Sequence, residues 1–290
     1  MTQYLTPPPD PNPGKPRMVV PGPAWDCQIH LFGPAPRYAF DPESPYYSED
    51  ALPETAIVLQ DRLGLAKSVV VSGGGYGLDY SHLEDTLTRF PDRFVGVIFP
   101  SASTTDAEFE RLHKLGVRGI RFVSARRARN LPLIDPEIAA RVKHLGWPIH
   151  FYPHGTDILE YADQLLALES DKIVLDHFAA VPASGGLEQP ALRKVLELLD
   201  TGRVWIKLSG PMRCTKEEPP YPSVTPIARA LAQHAPDRMV WASDWPHVNM
   251  VGRTMPNDAD LLDLVADWAP NAEDRRKILV ENPARLYGGA

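Results

Sequence analysis

Eight short apolar runs, each rich in β-branched or aromatic residues and each followed by a longer amphipathic stretch, constrain this chain more than any other feature. They fall at Trp25–Phe32, Ser68–Ser72, Phe94–Phe99, Gly119–Val123, Pro148–Tyr152, Lys172–His177, Val204–Ser209 and Met239–Ala242. Runs of this length, bounded by Gly or Pro, read as buried strands. Between and after them, apolar residues recur at helical spacing. The helical segments are Pro53–Leu63, His82–Phe90, Asp106–Leu115, Pro136–Leu145, Asp157–Leu168, Gln189–Asp200, Pro226–His234, Asp258–Trp268 and Asp274–Val280. Gly116 and Gly146 stand where C-terminal caps are needed. Strands that alternate with helices imply a parallel sheet with crossover connections. Eight of them in one domain-sized chain point to a closed (β/α)8 TIM barrel. A doubly wound open sheet has the same periodicity, and only the count of eight favours closure.

Composition narrows the class. The chain has 290 residues, 43% of them hydrophobic, and a net charge of -7. It is long enough for one barrel with a sizeable core. The acidic balance offers no electrostatic footprint for nucleic acid or for an anionic membrane. No apolar run is long enough to span a bilayer, and no signal peptide opens the chain. Two cysteines, Cys27 and Cys214, do not make a disulfide scaffold. A cytoplasmic location is the expectation, and buried inert thiols are the reading for both. Residues 1–23 are rich in proline and read as an extended arm over the domain or as a disordered tail. Residues 24–290 form the barrel, and the sequence says nothing of the oligomeric state.

Polar residues at the ends of parallel barrel strands converge on one mouth. The first run carries Gln28 and His30, the fourth Arg121, the fifth Tyr152, the sixth Asp176 and His177, and the seventh Lys207. The eighth stops at Asp244, within Ser243-Asp244-Trp245-Pro246-His247. Each has a structural reading when taken alone. Asp244 caps a turn, either histidine sits in the core, Lys207 pairs with an acid, and Tyr152 is core with a satisfied hydroxyl. Together they form a site in which two imidazoles and a carboxylate face one another.

The pattern resembles the amidohydrolase superfamily. Within it, the chain is similar to the group of 2-pyrone-4,6-dicarboxylate lactonase, sugar-acid lactone isomerases and sulfomuconolactone hydrolases. The resembling residues are Asp26-Cys27-Gln28-Ile29-His30, Gly33-Pro34, Gly119-Ile120-Arg121-Phe122, Asp176-His177, Trp205-Ile206-Lys207, the Asp244 motif and Glu281-Asn282-Pro283-Ala284-Arg285-Leu286-Tyr287. The match runs from about Trp25 to Tyr287 in unbroken order.

The resemblance implies a barrel that attacks the ester bond of a small anionic lactone. Asp244 matches the aspartate that takes a proton from the attacking water. His30 and His177 match residues that hold a metal in some relatives and polarise the carbonyl in others. Arg121, Arg127 and Arg213 match positions that grip substrate carboxylates, and Tyr152 matches a substrate-contacting tyrosine. His247, in the same motif as Asp244, joins the substrate-contacting set.

Two departures matter. The family's first strand usually reads His-x-His, and here Gln28 replaces the first imidazole. An amide is a poor zinc ligand, and no lysine stands in the fourth run to bridge two metals. No cofactor is therefore the favoured expectation, by ligand softness. The alternative is one divalent ion, zinc or manganese, on His30, His177 and Asp244. Sugar-acid lactone isomerases of the group also carry glutamine at this place. The second departure is Ala180, where the pyrone lactonase has another arginine, so the pyrone dicarboxylate itself is not the expected substrate.

Lactone opening needs a base for water and donors for the oxyanion. Gln28 and Lys207 offer additional donors. The arginines suit a carboxylate, while Arg126 and Arg129 read as a solvated loop. Two loops, Gly33–Tyr47 and Gly73–Gly77, are candidates for closing the mouth. The glycine run lacks the lysine and hydroxyl of a phosphate loop and reads as a hinge or a close approach to substrate. The primary reading is a lactone hydrolase. A lactone isomerase using the same residues stands second, and a zinc-dependent hydrolase third.

Overall fold

The computed structural model describes residues 3–124 and 131–288. Eight parallel strands run in the order of the chain: β1 Ala24–Ile29, β2 Leu65–Val71, β3 Phe94–Ile98, β4 Val117–Val123, β5 Ile149–Tyr152, β6 Ile173–Leu175, β7 Val204–Ser209 and β8 Met239–Ala242. Each pairs with its sequence neighbours. The first and last strands meet just beyond the end of β8. There Asp244 N donates to Gln28 O at 3.0 Å and His30 N to Trp245 O at 2.7 Å, with a parallel bridge between Ile29 and Trp245. The result is a (β/α)8 barrel.

Helices cover the outside: α1 Pro53–Leu63, α2 Ser81–Arg89, α3 Asp106–Leu115, α4 Pro136–Arg141, α5 Ile158–Ala167, α6 Pro190–Asp200, α7 Thr225–His234 and α8 Asp258–Trp268. Proline opens α1, α4 and α6 at a position that has no hydrogen bond to lose. Gly64 and Gly116 close α1 and α3 in the left-handed conformation. Two expected helices come out differently. Pro136–Leu145 breaks after Arg141 into a 3-10 turn at Lys143–Leu145. Asp274–Val280 is a short helix, Ala272–Arg276, a π-turn, Lys277–Glu281, and a further helix, Asn282–Tyr287. Asn282 anchors that end by donating to Pro236 O and Met239 O at 2.8 and 2.7 Å.

Strand side chains alternate between the helices and the barrel interior. Outward residues such as Ile120, Phe122, Ile206 and Leu208 join the apolar layer beneath the helices. Inward residues divide by depth. Trp25, Cys27, Val69, Val95, Val174, Trp205 and Val240 belong to a compact apolar cluster with Tyr287. Arg121, Tyr152, Lys207 and Ser209 continue the inward rows toward the C-terminal ends. That end of the interior is polar and charged.

The proline-rich segment lies along the outside. Arg17 N and Met18 N donate to Asp263 Oδ1 at 2.9 Å each, and Gly14 N donates to Asn257 Oδ1 at 3.1 Å. Tyr4–Leu5 then pairs in parallel with Tyr46–Tyr47, which carries the segment to the C-terminal mouth. No helix among the described residues is long and apolar enough to cross a membrane.

Candidate active site

At the C-terminal ends of the strands lies a cavity of about 490 Å3 whose lining includes His30, Arg121, Tyr152, His177, Arg213 and Asp244. These six were singled out from the sequence, and they converge. Arg127 lies outside the described residues.

The local chain explains how they get there. Strand β1 loses register between Asp26 and Ile29, an irregularity of the β-bulge kind that shifts which residues face inward. Cys27 joins the interior cluster, yet its neighbour Gln28 also bonds to interior side chains. Asp26 Oδ1 accepts from Gln28 N at 3.1 Å and from Ser243 N at 3.0 Å, so the backbone around the shift keeps its partners. His177 opens a turn of four non-glycine residues, His177–Ala180, all with φ between 51 and 54°. Left-handed backbone costs such residues about 1–2 kcal/mol each and persists where the surroundings enforce it. All four are buried. Asp244 has φ 68°.

Each oxygen of Asp244 is engaged. Oδ2 accepts from Arg213 Nε at 3.0 Å and Nη2 at 2.7 Å. Oδ1 accepts from Gln28 Nε2 at 3.2 Å and lies 3.5 Å from His30 Nε2 and 3.7 Å from His177 Nε2. Burial acts to raise the Asp244 carboxyl, but Arg213, His177 and His30 overcome it and hold the group well below the usual carboxylate range. Gly210 makes this closeness possible. It takes φ 55°, and a Cβ there would stand 2.9 Å from His177 Nδ1 and 3.4 Å from Asp244 Oδ2.

Beneath the lining runs a buried polar chain. Lys207 Nζ stands 2.9 Å from Asp176 Oδ1 and donates to Gln28 Oε1 at 2.8 Å. Arg121 holds the other Asp176 oxygen through Nε and Nη2, both at 2.8 Å. Gln28 and Lys207 are 0% exposed, so they act from behind the lining. Because the Gln28 carbonyl faces the ammonium, its amide nitrogen faces His177 Nε2 at 3.1 Å. His177 must accept there, which puts its ring hydrogen on Nδ1, 2.9 Å from Ser209 Oγ. Burial pushes the His177 ring down to about 3, in keeping with this neutral form. His30 is held from its other side, Nδ1 donating to Val71 O at 2.8 Å. Tyr152 packs its ring against His177, 4.8 Å between centroids, and under Arg121 at 5.0 Å.

His247 is placed elsewhere. It does not line the cavity. Its ring is fully buried, with Nε2 3.0 Å from Asp258 Oδ1 at the start of α8. Asp176 likewise sits below the cavity as a counterion. Sequence reasoning did not single out Tyr4, Phe99, His154, Met212 or Asn249, all of which line the cavity. Tyr46, Gly73 and Gly74 also line it, and they come from the two loops marked as candidates for closing the mouth. Gly73 permits a close approach, since a Cβ there would lie 3.3 Å from both His30 Nδ1 and the Tyr46 hydroxyl.

A divalent ion on His30, His177 and Asp244 fits this arrangement poorly. The Gln28 amide already donates to two of the three, Arg213 takes the second oxygen of Asp244, and Lys207 adds a positive charge behind the amide. Among the described residues, no three His, Cys, Asp or Glu side chains are grouped to hold a metal ion.

The amidohydrolase family model matches residues 25–289. The chain belongs to the amidohydrolase family. Among amidohydrolase relatives, it is 38% identical over 277 residues to a 4-sulfomuconolactone hydrolase of Rhizobium radiobacter, covering 93% of this chain and 91% of that one. It is 35% identical over 287 residues to a 2-pyrone-4,6-dicarboxylate hydrolase of Comamonas testosteroni, covering 95% and 93%. It is 29% identical over 282 residues to D-galactarolactone isomerase of Agrobacterium fabrum, covering 96% and 93%. An apo crystal structure from Agrobacterium tumefaciens superposes with a TM-score of 0.83 at 25% identity, over 95% of this chain and 99% of that one.

Proposed function

We propose that this amidohydrolase opens a small carboxylated lactone by hydrolysis. One observation carries the reading: two imidazoles that follow β1 and β6 each stand within 3.7 Å of a carboxylate that follows β8, at a cavity that also presents two arginines. Relatives at 38% and 35% identity are named 4-sulfomuconolactone hydrolase and 2-pyrone-4,6-dicarboxylate hydrolase, which supports the same chemistry.

In this reading Asp244 takes a proton from the attacking water. The hydrogen bonds divide the imidazole roles. His30 gives Nδ1–H to Val71 O, so it offers a hydrogen to the cavity only in its doubly protonated form. His177 accepts from Gln28 through the nitrogen that faces the site. In this reading His30 chiefly polarises the lactone carbonyl and His177 keeps Gln28 and Asp244 in register. Arg121 and Arg213 take substrate carboxylates, Tyr152 covers the ring, and Arg127 is proposed as a further carboxylate contact. Charges also favour an anion. Arg121, Arg213 and Lys207 outnumber Asp176 and Asp244 within the network.

We further propose that the site works without a metal, because the Gln28 amide meets the groups a metal would need. A second reading is a lactone isomerase, favoured by the 29% identical galactarolactone isomerase. There a substrate hydroxyl replaces water as the nucleophile and Asp244 serves it equally. The test is product analysis across carboxylated and sugar lactones. A ring-opened acid supports hydrolysis, a rearranged ring supports isomerisation, and no turnover of any lactone removes both.

A further inference from the structure

The two cavity arginines are paired in different ways. Arg121 is tied to Asp176, which is 0% exposed and lies below the cavity floor, so no ligand reaches that carboxylate. Arg213 is tied to Asp244 itself. Both of its contacts, from Nε and Nη2, fall on the single oxygen Oδ2. Gln28 Nε2 donates to Oδ1 at 3.2 Å and the two imidazoles crowd that oxygen at 3.5 and 3.7 Å, while Oδ2 is the oxygen that Arg213 holds with both of its contacts. A carboxylate in such company is a weak base, yet the proposed reaction needs one.

We propose that Arg213 is a latch on Asp244, and that an anionic group of the incoming substrate opens it by drawing the guanidinium to itself. This rests on the reading of Asp244 as the base. Arg213 is positioned for such an exchange. It stands on the 3-10 turn Pro211–Arg213, directly after Gly210, whose missing Cβ lets the turn approach Asp244. It lines the active cavity on one side. On the other, Arg213 and Met212 also border a second cavity of about 740 Å3 that holds Glu217 and Lys216. Arg213 therefore borders two cavities. A guanidinium can grip a carboxylate with one N–H to each oxygen, whereas Arg213 holds only Oδ2 of Asp244, so a substrate carboxylate that offers both oxygens competes for it. Water is then activated only when an anionic substrate is in place, and an uncharged lactone enters a site whose base stays held.

The test has two arms. In the first, the structure is determined with and without tricarballylate, a saturated tricarboxylate. The expected result is a tricarballylate carboxylate on Arg213 and Asp244 Oδ2 released, with the Arg121–Asp176 pair intact. Arg213 still on Asp244 in the complex, or no tricarballylate in the cavity at millimolar concentration, overturns the latch. In the second, turnover of the uncharged lactone dihydrocoumarin is followed with added propionate. In the native enzyme propionate is expected to raise kcat on the order of tenfold or more, as part of the 10²–10⁴ that a positioned base supplies. Arg213→Gln is expected to start from the raised rate and to ignore propionate. Propionate that only inhibits, or an Arg213→Gln enzyme slowed on charged lactones with no gain on uncharged ones, overturns the latch and reduces Arg213 to a binding residue. If tricarballylate lifts Arg213 from Asp244 while no lactone is opened, the function reading falls and the latch stands.

Discussion

Lys207 sets which way Gln28 points. Its ammonium takes the amide oxygen at 2.8 Å, and the amide nitrogen is left 3.1 Å from His177 Nε2 and 3.2 Å from Asp244 Oδ1. Replacing the amide by a carboxylate, Gln28→Glu, removes the donor and sets a second negative charge beside Asp244. A fall in kcat of roughly 10²-fold is expected, the scale of losing one aimed donor. Steady-state kinetics beside circular dichroism check it, and unchanged kcat in a folded variant would take Gln28 out of the machinery.

Asp244→Asn keeps an oxygen for Arg213 and loses the base. Turnover is expected to fall by about 10³-fold or more, within the range for a positioned general base, while the chain stays folded. The measurement is kcat with a thermal melt on the same preparation. Near-native kcat would remove Asp244 from the mechanism.

Dialysis against a chelator is expected to leave activity whole, because the amide of Gln28 bridges His177 and Asp244. Metal content and kcat are measured on the same sample. Complete loss, restored by zinc or manganese, would replace the metal-free reading with the mononuclear one.

Lys207→Met leaves Asp176, 0% exposed, with Arg121 as its remaining cation. Breaking one partner out of a buried ionic group costs about 3–5 kcal/mol. Urea unfolding is expected to register a loss of that size. A loss below about 1 kcal/mol would mean that the pair with Lys207 contributes little.

Stability should depend on pH through three buried groups. Burial pushes the rings of His150 and His177 down to about 3, against about 6.5 in the unfolded chain. What these rings contribute is complete above about pH 6.5 and drains away as pH falls toward 3. Asp26 is reversed: burial pushes it up to about 7, against about 3.9 unfolded. Its contribution is complete below about pH 4 and is lost as pH rises through 7. Between pH 4 and 6.5, unfolding therefore takes up a proton at each histidine and releases one at Asp26. Asp26→Asn should steepen the rise of unfolding free energy over that window by about 1.4 kcal/mol per pH unit. His150→Phe should flatten it by the same amount. Urea titrations at several pH values decide, and two unchanged slopes would refute the assignment.

The barrel was legible because hydrophobic periodicity is a local property. α1, α3 and α8 fall where the spacing of apolar residues set them, since Pro53, Gly116 and a run of core-facing leucines act within a few residues. The cavity lining was legible where a polar residue stands at or near a strand end, as with His30, Arg121 and Asp244. What the pattern hid depends on contacts between distant segments. Nothing in Asp176-His177-Phe178-Ala179-Ala180 announces a left-handed turn, because no glycine marks it. The register break in β1 is imposed by pairing with β2 and by Asp26 reaching Ser243. His247 shares a motif with Asp244, yet Asp258, eleven residues on, draws it into the core. Tyr4 escaped because a proline-rich arm carries no sign of where it will land.

That arm gives the cavity a wall that belongs to none of the eight barrel strands. Tyr4 reaches the mouth beside Tyr46 and Asn249 from outside the barrel. Descendants of this gene can therefore retailor the shape of the opening by editing a surface segment, leaving every barrel pairing undisturbed. Ligand preference and thermostability are then free to drift apart.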